Sequence, residues 1–344
     1  MNRYRIIPRL FLPALWLAGC GQQTPTLHIF NWADYIKPAL VERFEREHGC
    51  RVVIDTFESN ESMYNKLKAG ATGYDLIFPS SYMVELMAAQ GMLRQLDHSL
   101  LPNLVHIDQA MMVYATDPLC TYSVPYMMSN AGIAYRADKL GTIEATWAVF
   151  DRADLKGRMT LLNDYRETIG AALKFLGYSL NTTNDAELAQ ARDVVIRWKK
   201  NIAKLESEQY KNGIASGEFL LVHGYNGDLM QVISENTNVV YVTPKEGVSI
   251  SCDHMVIPAT AREVKLAHAF INFMLDPQVA AENTAFVHFL CPNKTAYQYL
   301  SDELRNDPAI FLPQDILAKS EVIKYLGPAD AKYRVMWDAI KAAE

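Results

Sequence analysis

Between residues 27 and 78 short apolar runs alternate with segments of helical period, and each is closed by glycine or proline. That alternation leaves few folds open. Residues 27–30 read as a buried strand. Pro38–His48 sets Leu40, Val41 and Phe44 on one helical face and stops at Gly49. A second strand is predicted over Arg51–Thr56, a helix over 61–68 closed by the turn at 70–73, and a third strand over 75–78 ended by Pro79. Strand, helix, strand, helix, strand predicts a parallel sheet, because parallel neighbours need a crossover connection. Ligands bind such sheets beyond the carboxyl ends of the strands. Those ends carry Asn31-Trp32-Ala33-Asp34-Tyr35 and Ser80-Ser81-Tyr82, so Trp32, Asp34, Tyr35, Ser81 and Tyr82 become candidate site residues.

A second α/β stretch begins near Ala131. It reads as a strand at 159–162, helices at 168–176 and 185–201, and a strand at 219–223 running into the turn Gly224-Tyr225-Asn226-Gly227-Asp228. Glycines in that turn let backbone approach a ligand. A further strand at 239–243 precedes the turn Pro244-Lys245-Glu246-Gly247, and from Leu266 the chain is mostly helical, broken at Pro277 and Pro292. The 344 residues exceed the usual size of one hydrophobic core, so two lobes are expected.

At the amino terminus Arg3, Arg5 and Arg9 precede an apolar run too short to span a bilayer, ending in Leu17-Ala18-Gly19-Cys20. This pattern is an export signal, and it resembles the lipobox of bacterial lipoproteins. The resemblance implies a signal peptide at 1–19, lipid on Cys20 and a polar tether at 20–26, which places the folded body in the periplasm or at the cell surface. Gly21 rather than Asp after the cysteine implies sorting to the outer membrane in a two-membrane host. An ordinary signal peptide with a chance cysteine is the alternative.

The net charge of −6 becomes −9 once the three leader arginines are discounted, which favours cationic partners and argues against nucleic acid. Cys50, Cys120, Cys252 and Cys291 are widely spaced and contain no CxxC pair, so neither a metal nor a cofactor is expected. An oxidising compartment permits disulfides among them, and buried free thiols fit equally. No HExxH, GxSxG or phosphate loop is present, and the eight histidines are scattered. An enzyme is therefore not expected. What recurs is an aromatic beside a carboxylate: Trp32 with Asp34 and Tyr35, Tyr225 with Asp228, and Tyr82 near the first group. Ring faces attract an organic ammonium by about 0.5–2 kcal/mol each, and carboxylates add charge-assisted hydrogen bonds. The competing reading makes these core or rim aromatics and Asp34 a helix-start acid near Pro38.

Three runs decide between them: Asn31-Trp32-Ala33-Asp34-Tyr35-Ile36, Phe57-Glu58-Ser59-Asn60-Glu61-Ser62-Met63-Tyr64-Asn65-Lys66-Leu67-Lys68, and Tyr74-Asp75-Leu76-Ile77-Phe78-Pro79-Ser80-Ser81-Tyr82. With Pro125-Tyr126, Pro244-Lys245-Glu246-Gly247, Asp253, Ile257-Pro258 and Asn272-Phe273-Met274-Leu275-Asp276-Pro277, they resemble the spermidine/putrescine-binding proteins of polyamine ABC importers. The similarity spans nearly all of the chain after the leader. It implies an α/β, two-lobed periplasmic-binding-protein fold of type II, each lobe a mixed sheet flanked by helices, with the ligand cleft between lobes. Lobe 1 would take 27–130 and 254–296, and lobe 2 would take 131–253 and 297–344.

By position, the resemblance implies that Trp32, Tyr35 and Tyr82 wall the cleft and that Asp34, Asp228 and Asp253 match acids binding amino groups in putrescine-preferring members. Asp164 and Glu167 match acids of spermidine-preferring members, and Phe289 stands where a tyrosine is usual. Tyr225 replaces a usual tryptophan, Ser251 a bulky aromatic and Ile323 a glutamine, so the cleft is expected to be roomier. The implied partners are a polyamine and the permease subunits of an ABC importer, met by a lipid-tethered monomer. A subunit that senses polyamine and signals to a membrane receptor is the alternative.

Overall fold

In the computed structural model, which describes residues 24–343, strands of both halves of the chain join in one hydrogen-bonded sheet. The strands are β1 (Thr26–Asn31), β2 (Arg51–Thr56), β3 (Leu76–Ile77), β4 (Ser123–Arg136), β5 (Met159–Leu161), β6 (Lys204–Leu205), β7 (Leu221–Tyr225), β8 (Val239–Val242), β9 (Ser249–Val256) and β10 (Glu321–Val322). The order is β2-β1-β3-β9-β4-β7-β5-β6, with β10 on β9 and β8 on β4. The expected leader, Cys20 and the start of the tether lie outside the described residues.

The parallel unit read from residues 27–78 is present. β1 pairs with β2 from Thr26 opposite Arg51 to Asn31 opposite Thr56, and with β3 at Ile29 opposite Leu76. Its crossover helices form for local reasons. Pro38 opens Pro38–His48 at a position whose missing N–H costs nothing, and Gly49 closes it in the left-handed conformation at φ 61°. Ser59 and Ser62 exchange capping hydrogen bonds at the start of Asn60–Lys68.

Two large apolar cores lie to either side of β4 and β9. One gathers Leu27, Leu40, Phe44, Phe78 and Phe270; the other gathers Ile133, Trp147, Phe150, Trp198 and Trp337. Each large side chain buried there stabilises by about 1.5–3 kcal/mol. This is the expected two-lobed architecture with one difference: the lobes share a single sheet. β4 is buried along its whole length, pairs with β9 from Ser123 to Ala131, and continues against β7 from Ala131 and against β8 from Ile133 onward. Neither β4 nor β9 is expected from the sequence: β4 is buried along its whole length and carries Pro125 within it, and the alternation of Ser249-Ile250-Ser251-Cys252 in β9 is lost at Asp253-His254.

The turn expected at Gly224 to Asp228 is also corrected. β7 runs to Tyr225 and the helix Asn226–Glu235 follows at once. Asn226 fixes that junction, since its Oδ1 accepts from the Asn130 N–H at 3.0 Å and its Nδ2 donates to the Ala309 carbonyl at 3.0 Å. Cys50, Cys120, Cys252 and Cys291 are buried free thiols. Among the described residues, no helix is long and apolar enough to cross a membrane, and no cluster of His, Cys, Asp or Glu could hold a metal.

Candidate ligand-binding cleft

Asp253 lies where the two lobes meet. It sits on β9, opposite Met127 of β4, with its side chain buried. Its carboxylate accepts from the Tyr35 hydroxyl at 2.7 Å and from the Ser80 hydroxyl at 2.6 Å. Burial pushes this carboxyl up to about 6, and the two hydroxyl donors oppose the shift. Tyr35 is wedged edge-on between Tyr126 and Phe289, at 5.4 and 5.3 Å between ring centres. Asn60 steadies Ser80 from both sides: its Nδ2 donates to Ser80 Oγ and its Oδ1 accepts from Ser80 N, each at 3.0 Å.

Ser81, the serine singled out from the sequence, turns elsewhere. Its hydroxyl donates to the Cys252 carbonyl at 3.1 Å and lies 2.9 Å from His254 Nε2. Ser80 supplies the hydroxyl that meets Asp253. Two serines in succession at a strand end leave that choice to the backbone, and neither composition nor spacing could make it.

The second lobe contributes a pair of acids. Asp164 caps the helix Tyr165–Phe175, accepting from Arg166 N at 2.8 Å and Glu167 N at 3.1 Å. Glu167 is buried in the first turn and accepts from the Ser249 hydroxyl. Burial raises both carboxyls; for Glu167 the neighbouring Asp164 charge adds to it and brings the value to about 8. Arg166 stands beside them but spends its guanidinium on the Lys324 carbonyl and Asn181 Oδ1, both at 2.9 Å.

Glu61, which the sequence reading placed only in a helix, is the acid it missed. It reaches from lobe 1 and accepts from Tyr82 Oη at 3.2 Å and Tyr165 Oη at 3.4 Å, the latter on lobe 2. Its carboxyl is raised by burial and by the Asp164 charge across the cleft. Among the described residues, none of Glu61, Asp164, Glu167 and Asp253 forms an ion pair with a Lys or Arg. An acidic set of which Glu167 and Asp253 are buried and Glu61 and Asp164 half-buried, with no ion-pair partner of its own, suits a cationic guest.

Aromatics frame this set. The Trp32 indole N–H donates to the Phe78 carbonyl at 2.8 Å, and its ring leans on Phe57 at 4.4 Å. Tyr225 ends β7 half-buried, its backbone N–H donating to the Tyr210 hydroxyl at 3.4 Å. Ser251 is half-buried on β9, and Ile323 is buried beside β10.

Asp34 and Asp228 are differently placed. Lys211 Nζ lies 3.4 Å from Asp34 Oδ2 and 3.7 Å from Asp228 Oδ1, and Tyr210 Oη donates to Asp228 Oδ2 at 2.6 Å. Asp34 is exposed, with φ at 54°. It caps no helix: Lys37 occupies the cap position before Pro38, so the helix-start reading of this acid fails.

The glycines of this region serve the protein's own aromatics rather than a ligand. A Cβ on Gly227 would meet Phe289 Cε2 and the Val287 carbonyl oxygen at 2.5 Å, and one on Gly224 would meet the Tyr210 ring at 2.4 Å. Gly227 thus lets a lobe 2 helix seat directly on Phe289. Gly227→Ala is expected to cost about 1–3 kcal/mol through overpacking against an unyielding carbonyl. Scanning calorimetry of the ligand-free protein checks this, and an unchanged melting temperature refutes it.

Residues 39–312 match the family described as bacterial extracellular solute-binding protein. The chain belongs to that family. Among its relatives, the spermidine/putrescine-binding periplasmic protein of Salmonella typhimurium is 35% identical over 94% of each chain. Among solved structures, a putative spermidine/putrescine ABC transporter from Listeria monocytogenes superposes with a TM-score of 0.87 at 36% identity, covering 93% of this chain and 100% of that one. The Tp0655 (TpPotD) lipoprotein of Treponema pallidum superposes with a TM-score of 0.83 at 34% identity, covering 92% and 99%.

Proposed function

We propose that this protein is an extracytoplasmic solute-binding lipoprotein that captures a polyamine of the putrescine or spermidine type and delivers it to an ABC permease. The observation that carries this reading is the acidic set of Glu167 and Asp253, buried, with Glu61 and Asp164, half-buried. None of them forms an ion pair with a Lys or Arg among the described residues, and all are framed by Trp32, Tyr35, Tyr82 and Tyr225. The ligand's ammonium groups lie on the acids and its methylenes against the rings, with Phe289 backing Tyr35. Each aromatic face contributes about 0.5–2 kcal/mol.

The lobes that close on it are 27–130 with 254–296, and 131–253 with 297–344, joined along β4 and β9. A ligand touching both favours the closed state, because only that state makes both sets of contacts. The permease reads the closed form of a monomer held near the membrane by lipid on Cys20. The names of the Salmonella and Listeria relatives support polyamine transport over sensing, and the Treponema relative is itself a lipoprotein. Calorimetric titration with putrescine, spermidine and spermine tests the reading. Saturable heat is expected with at least one, and absence of both heat and thermal shift with all three overturns it.

A further inference from the structure

One phenol stands between an acid of each lobe. Tyr165 opens the helix Tyr165–Phe175 on lobe 2, and its hydroxyl lies 3.1 and 3.2 Å from the two carboxylate oxygens of Asp330, at the head of the helix Asp330–Ala342 of the same lobe. It also lies 3.4 Å from Glu61 Oε1 of lobe 1. All three oxygens accept, and a phenol has one proton to give. Burial, with the charges of Glu61 and Asp330, raises the phenol and keeps it protonated. The ring is held independently of that choice: the Arg334 guanidinium sits 5.9 Å from the ring centre, and its Nε donates to Asp330 Oδ2 at 2.7 Å.

Asp330 travels with Tyr165, whereas Glu61 belongs to the other lobe. When the lobes part, the hydroxyl keeps Asp330 as its acceptor and water solvates Glu61, so neither group is orphaned. When they meet, Glu61 is half-buried, and its Oε1 takes Tyr82 Oη, at 3.2 Å, and Tyr165 Oη as donors. Removing the Tyr165 hydroxyl takes a donor from Asp330 in both states, but from Glu61 only in the closed one. The closed state alone bears that second cost. We propose that Tyr165 is a positioning residue for the closed cleft: its one proton, given to Asp330 in the open state, holds the Glu61 carboxylate across the lobe junction in the closed one. The inference rests on the two-lobed capture of a polyamine proposed above, and it needs no pairing of particular ammonium groups with particular acids. A tie between lobes acts alike on every guest that the closed cleft holds.

The test compares the wild-type protein, Tyr165→Phe, Glu61→Ala and the double variant with putrescine and spermidine, by calorimetry and stopped-flow kinetics. Tyr165→Phe keeps the ring against Arg334 and removes the hydroxyl alone. It is expected to weaken both polyamines alike, by about tenfold, through faster release with association unchanged, because the bond forms after capture. In the Glu61→Ala background the same change is expected to move affinity by less than about twofold. The melting temperature of ligand-free Tyr165→Phe is expected to stay within about 3 °C of wild type, and a larger fall assigns the loss to the fold and overturns the proposal. So does a loss confined to one polyamine, or a loss of equal size in the absence of the Glu61 carboxylate. Fluorine NMR of fluorotyrosine-labelled protein reads the contact without ligand: the resonance missing from Tyr165→Phe is expected to shift in Glu61→Ala, and an unmoved resonance overturns the contact. If wild type gives no heat with any polyamine, the polyamine reading falls and this inference with it. If wild type binds and Tyr165→Phe binds equally well, the inference alone falls.

Discussion

Asp253→Asn is expected to weaken polyamine binding about a hundredfold, the loss of one charge-assisted contact in a site closed to water. The substitution is close to isosteric, and the amide oxygen can still accept from Tyr35 or Ser80. Folding is therefore largely preserved while the charge is lost. Asp276→Asn is the matched control. Asp276 caps the helix Pro277–Val287 through Gln278 N and Val279 N, away from the acids of the cleft, and Asn caps as well as Asp. Its affinity is expected to match wild type. Equal affinities of the two variants in calorimetry would remove Asp253 from the binding site.

Binding is expected to strengthen as pH rises, by about fiftyfold between pH 6 and 8, because an ammonium ligand selects the ionised form of Glu167, which is half populated at its value of about 8 and falls toward tenfold per unit below it. Asp253, at about 6, adds a further loss under more acid conditions. Stability of the ligand-free protein runs the other way. Both carboxyls are raised above their unfolded values, so between the unfolded and folded values the folded chain binds more protons than the unfolded one. Stability from these groups is greatest below pH 4 to 5 and falls as pH climbs toward 8. Glu167→Gln is expected to flatten both profiles between pH 6 and 8. Titrations and thermal melts across that range measure the two trends; affinity independent of pH would show that Glu167 is not linked to the ligand.

The opposed trends share one physical source. In the proposed function a cationic guest supplies the counter-charge of Glu61, Asp164, Glu167 and Asp253; without it burial raises all four carboxyls, and Glu167, at about 8, holds its proton at neutral pH. Relief of that strain by a cation adds to the contacts that favour the closed lobes, so capture and closure are coupled through the same four carboxyls.

What the sequence determined was local. Alternating elements over residues 27–78, Pro38 and Gly49 as helix signals, and the export pattern ending at Cys20 are each legible within a few residues. Backbone preference and hydrophobic period decide such features without reference to the rest of the chain. The tertiary structure decided which side chains meet. β4 and β9 form the seam between lobes because they pair with each other, and burial of β4 along its whole length removes the one-sided pattern that would announce it. Ser80 rather than Ser81 reaches Asp253 because the strand end aims one hydroxyl and turns the other away. Glu61 faces Asp164, and Lys211 meets Asp34 across 177 residues of sequence, because chain crossing brings remote segments together. Charge and aromaticity were written in the sequence, but which acids lack a cation and which already hold one follows only from where the fold sets them.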